Sequence, residues 1–72
     1  MRVPSQRLMC AIARELKFLA GGCYEVSWVP YKSVFNIHYL LTPINSNGIS
    51  ISLETAIECI TGRTNIITQL PQ

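Results

Sequence analysis

Apolar residues recur at helical spacing between Gln6 and Ala20. At about 100° per residue, Leu8, Met9, Ile12, Leu16, Leu19 and Ala20 fall within one sector roughly 120° wide, which predicts an amphipathic helix. Ser5, just after Pro4, is placed to cap its first turn. Gly21-Gly22 ends it, because glycine accepts the left-handed conformation that closes a last helical turn. Arg7, Cys10, Arg14, Lys17 and Phe18 lie on the other side.

The period then changes to two. Tyr24, Val26 and Trp28 alternate with Cys23, Glu25, Ser27 and Val29, and Phe35, Ile37, Tyr39 and Leu41 alternate with Val34, Asn36, His38 and Leu40. Alternation rich in β-branched and aromatic residues predicts two strands. Pro30-Tyr31-Lys32-Ser33 reads as a hairpin loop between them. Pairing Val29 with Val34 then sets Trp28 opposite Phe35, Val26 opposite Ile37, and Tyr24 opposite Tyr39. On the reverse face, Ser27 meets Asn36 and Glu25 meets His38. A slip of one residue would put polar against apolar throughout.

Pro43 to Gly48 is turn-rich, with Asn47-Gly48 a strong turn dipeptide. Ile49-Ser50-Ile51 suggests a short third strand. A tight turn would pair it with Ile44 to Ser46, and a longer loop with the end of the second strand. Ser52 is placed to cap a second helix, Leu53 to Thr61, with an apolar stripe of Leu53, Ala56, Ile57 and Ile60, and Gly62 ends it. Glu54 in its first turn suits the helix dipole. In the tail, 63–72, Ile66, Ile67 and Leu70 fit an edge strand, a short helix or an arm on a neighbour. Leu53 to Leu70 also has a helix–Gly–helix outline, although Arg63 is its only cation where a DNA-reading helix carries several.

The expected architecture is therefore one α+β domain, 1–72, in the order α-β-β-(β)-α, with both helices on one face of a small antiparallel sheet. The expected core joins Leu8, Ile12, Leu16 and Leu19 to Val26, Trp28, Phe35, Ile37 and Tyr39, then to Leu53, Ile57 and Ile60. The sheet keeps open edges, which invite pairing with a second copy or a partner strand.

Composition sharpens this picture. Hydrophobic residues make up 49% of the chain and charged residues 14%, with no aspartate. A typical soluble domain is about 25% charged, and interface cores are depleted of charge in a similar way. Val29, Val34 and Leu40 are apolar residues left over on the sheet's outer face. A formal net charge of +2 is too small to argue for nucleic acid by itself. Cys10, Cys23 and Cys59 are widely spaced, and with a single histidine they form no metal-ligand motif. The expectation is reduced thiols, no metal and no cofactor. Leu19-Ala20-Gly21-Gly22-Cys23 loosely matches a lipoprotein cleavage site, but Arg14, Glu15 and Lys17 interrupt the apolar region a leader would need. No stretch approaches the roughly 20 apolar residues of a membrane span. The expectation is a cytoplasmic protein with no membrane partner and no small-molecule substrate.

Two groups of residues carry candidate chemistry. Arg7, Arg14 and Lys17, with Phe18 at the edge of their stripe, would suit phosphates or a partner's pocket. The polar sheet face offers Glu25, Ser27, Asn36 and His38. A carboxylate opposite an imidazole can orient it for proton transfer, but nothing activates Ser27 as a nucleophile. Cys10 sits among the basic side chains of the first helix.

The element order resembles that of the double-stranded-RNA-binding fold. Toxins of the HicA type resemble that fold too and use a sheet histidine to cut messenger RNA, a role His38 would take by that likeness. The second helix here has no lysine cluster, and the nearest segment to the toxins' Gly-Ser-His-His run is Lys32-Ser33-Val34-Phe35. The likeness is one of order alone and assigns no family. The functional expectation is a small non-catalytic regulatory or inhibitory protein that works by protein–protein contact, with a homodimer as one form of it. Nucleic-acid binding through the first helix is the second reading, and RNA cleavage by His38 the third.

Overall fold

A computed structural model describes residues 5–41 and 48–70. Helix α1 spans Gln6–Leu19, strands β1, β2 and β3 span Tyr24–Val29, Val34–Tyr39 and Ile49–Ser52, and helix α2 spans Leu53–Ile60. A single 3-10 turn, Ile66–Gln69, follows. The sheet is antiparallel in the order β1-β2-β3, so β1 and β3 are its edges. Among the described residues, no helix is long and apolar enough to cross a membrane.

The helix ends follow their local chemistry. Leu8 N–H donates to Ser5 Oγ at 3.1 Å, and Thr55 N–H donates to Ser52 Oγ at 3.2 Å. Each bond satisfies an N–H that has no partner inside its helix. At the end of α1, Gly22 N–H reaches back to the Lys17 carbonyl at 2.9 Å, with Gly21 and Gly22 at φ +76° and +74°. That left-handed pair reverses the chain into β1.

The hairpin pairs as the alternation requires, from Tyr24 with Tyr39 through to Val29 with Val34. Lys32 N–H to Val29 O and Ser33 N–H to Pro30 O, both 3.2 Å, close its loop. Strand β3 pairs with the first four residues of β2, Val34 to Ile37, setting Ile37 opposite Ile49 and Phe35 opposite Ile51. The expectation of pairing at the end of β2 is corrected. This register sets both isoleucines beside Phe35 and Ile37 on the helix-covered face. The tight-turn alternative through Ile44 to Ser46, and Asn47 itself, lie outside the described residues.

Met9, Ile12, Ala13 and Leu16 of α1 close over Phe35, Ile37 and Ile51, and Ala56 and Cys59 of α2 complete the layer with Ile66. Tyr24, Val26, Trp28, Leu53 and Ile60 pack against this cluster half-buried. Tyr39 is also half-buried, with its ring centroid 5.0 Å from that of Tyr24.

Three expected core residues lie outside this layer. Leu8 is 52% exposed, Leu19 37% and Ile57 43%. Each helix is rotated about its axis from the centre of its apolar stripe, α1 by roughly 30° and α2 by roughly 60° at 100° per residue. Ala13 turns inward as Leu8 and Leu19 turn out, and Cys59 turns inward as Ile57 turns out. Small side chains at the contacts let the helices lie close to the sheet. In the tail, Ile66 is buried and Ile67 exposed, so the short helix is the form observed. With only four residues in a 3-10 turn, it is no second recognition helix.

Candidate functional site

An open groove of roughly 630 Å³ runs between α1 and the free side of β1. Gln6, Cys10, Ala13, Arg14 and Lys17 form the helix wall, and Glu25, Val26, Ser27 and Trp28 form the strand side. The placement follows from helical angle. Gln6, Cys10, Arg14 and Lys17 share a sector roughly 80° wide, beside the buried stripe and next to Ala13.

The backbone of β1 adds a second set of groups. Leu40 N–H donates to the Cys23 carbonyl at 2.9 Å. In an antiparallel ladder, hydrogen-bonded and non-bonded pairs alternate. The bonded pairs are then Glu25–His38, Ser27–Asn36 and Val29–Val34 in the observed register. Val26 and Trp28 therefore turn their peptide N–H and C=O away from β2, along the rim of the groove. Trp28 is braced from behind by Phe35, ring centroids 4.8 Å apart and planes inclined at 52°.

The expected site residues divide. Arg14 and Lys17 come together with Glu25 and Ser27 at the groove. Among the described residues, neither cation makes an ion pair. Arg7 and Phe18 do not line the groove, and Phe18 is 78% exposed. Asn36 and His38 stay on the outer face, where Ser50 Oγ donates to Asn36 Oδ1 at 2.7 Å and His38 lies opposite Glu25. Val29 and Val34 are half-buried and Leu40 is exposed.

Sequence reasoning missed that Gln6, Ala13, Val26 and Trp28 belong to the same site. The helical angle supplied a signal for the first two. The alternation places the two strand residues in the core, which they also serve.

The three cysteines are free thiols, Cys10 and Cys23 exposed and Cys59 buried. Burial pushes the Cys59 thiol above its usual pKa, and the neighbouring Glu58 carboxylate adds to the rise. Among the described residues, no group of three or more His, Cys, Asp or Glu side chains could hold a metal ion.

Comparison with protein-family models, with curated proteins and with solved structures finds no match to this chain.

Proposed function

We propose that this chain is a small non-catalytic regulatory or inhibitory protein that acts by contact with another protein. The observation that carries this reading is β1, a six-residue edge strand with outward backbone groups at Val26 and Trp28, set beside a groove. A sheet edge with outward backbone groups at Val26 and Trp28 is a template for another chain. Exposed apolar residues support the same reading, with Phe18 at 78% and Leu41 at 76% exposure. Self-association into a homodimer is one form of such contact. Sedimentation at two concentrations, combined with capture on immobilised chain, tests the reading. A clean monomer that retains no partner overturns it.

A second reading, nucleic-acid binding, is favoured by one observation: Arg14 and Lys17 stand together on one groove wall. Arg7 does not line that groove, so among the described residues only two cations face it, fewer than a run of phosphate contacts would use. Gel shifts at two salt concentrations separate the readings. Phosphate contacts weaken steeply with salt, and Arg14→Ala with Lys17→Ala would abolish binding at this surface.

A further inference from the structure

We propose that the free edge of β1 takes up an extended segment of a partner protein as an added strand, and that this segment is acidic on its helix-facing side only. The proposal rests on the protein-contact reading above and names the place and chemistry of that contact.

The backbone of the guest would pair with the outward N–H and C=O groups of Val26 and Trp28. Main-chain pairing of this kind gives affinity without fixing sequence, and alternate side chains supply specificity. Successive side chains of an added strand point to opposite faces. Those on the inner face would rise between Trp28 and the wall of α1, where Arg14 and Lys17 offer two cations without partners among the described residues. Those on the outer face would lie beside Glu25 and Ser27. Carboxylates therefore suit the inner positions and are repelled at the outer ones.

A second copy of the chain fits this edge poorly. Two β1 strands pairing about a twofold axis would set two α1 helices side by side on the same face. Arg14 and Lys17 of each would then face their own counterparts, and like charges would oppose the pairing.

Trp28 is the single tryptophan of the chain, so its emission reports on the groove. The probes are a short peptide of alternating glutamate and threonine and its lysine–threonine counterpart. The acidic peptide is expected to shift Trp28 emission saturably and to slow amide exchange at Val26 and Trp28. The basic peptide should bind at least about fivefold more weakly, in keeping with two exposed charge pairs. The Arg14→Glu, Lys17→Glu double variant, which alters only exposed residues, should reverse that order.

Two methylated peptides test the backbone. Methylating the glutamate amides should abolish binding of an antiparallel guest, and methylating the threonine amides that of a parallel one. The proposal is overturned by no binding of the acidic peptide, by equal binding of the acidic and basic peptides, by binding that survives both methylations, or by displacement of the peptide by an RNA oligonucleotide. Protection of Val26 and Trp28 that grows with protein concentration alone would give the edge to a second copy and also overturn it. If the double variant still captures a protein partner in full, this site falls and the contact reading stands. If neither peptide nor partner binds, both fall.

Discussion

Trp28 and Phe35 face each other across the β1–β2 ladder, and Phe35 is wholly buried beneath the helices while Trp28 reaches the groove. One aromatic pair thus links the interior to the proposed docking edge. Truncating a buried phenylalanine costs about 3–5 kcal/mol. A core of this size supplies only about 3–5 kcal/mol in total. Phe35→Ala is therefore expected to leave the chain largely unfolded at 25 °C, with loss of near-ultraviolet circular dichroism. A variant that keeps a cooperative melting transition near that of the parent would refute this account of the core.

Gly48 sets the entry to β3. A methyl group there would collide with the Ile37 carbonyl oxygen and with the His38 imidazole. The imidazole is exposed and can swing aside, but the carbonyl belongs to the ladder. Overpacking of this kind costs about 1–3 kcal/mol. Gly48→Ala should lower the urea midpoint by a matching amount, and His38→Ala in the same chain should restore little of it. Full restoration would show that the side chain, and not the backbone, is the obstacle.

The Cys59 thiol gives stability a dependence on pH. Its pKa is raised in the folded chain, first by burial and then by Glu58, above the usual value near 9.0. The folded state thus holds the thiol proton more tightly than the unfolded state. The stabilisation is complete below about pH 9 and is lost as pH rises through the folded value. Stability measured in urea should fall as pH is raised above about 9. The Cys59→Ala variant, though less stable throughout, should show a shallower slope over that window. Equal slopes would mean that other groups carry the dependence.

His38 is exposed on the face opposite the helices, away from the groove. Substitution at such a position usually changes stability by less than about 0.5 kcal/mol. His38→Ala should therefore leave both folding and partner binding at parental levels. Loss of an RNA-cleaving effect in that variant would revive the toxin-like reading, and a calorimetric titration with a partner would measure the binding.

The hairpin was legible because its signal is redundant. Six residue pairs agree on one register, and the loop at Pro30 to Ser33 fixes the same one. Helix α1 was legible for a similar reason, with a cap at Ser5 and a glycine pair at its end. Strand β3 offered only Ile49-Ser50-Ile51, too short to choose among partners, and its register emerges from burial of Ile51 against Phe35. The helix rotations were hidden because hydrophobicity ranks Ile57 above Cys59, while close approach to the sheet favours the smaller side chain. The groove was half visible. Arg14 and Lys17 stood out on their helix, but a site between two elements depends on how α1 leans across β1, which neither segment encodes alone.

The cations beside β1 also bear on how the chain behaves when crowded. A bare rim is where copies stack into fibrils, and charged residues flanking such a rim act as gatekeepers. Arg14 and Lys17 hold that post while adding nothing to the interior. Neutralising both would leave the native packing intact and remove the charges that flank β1, so these two side chains guard one of the sheet's two edges against a second copy.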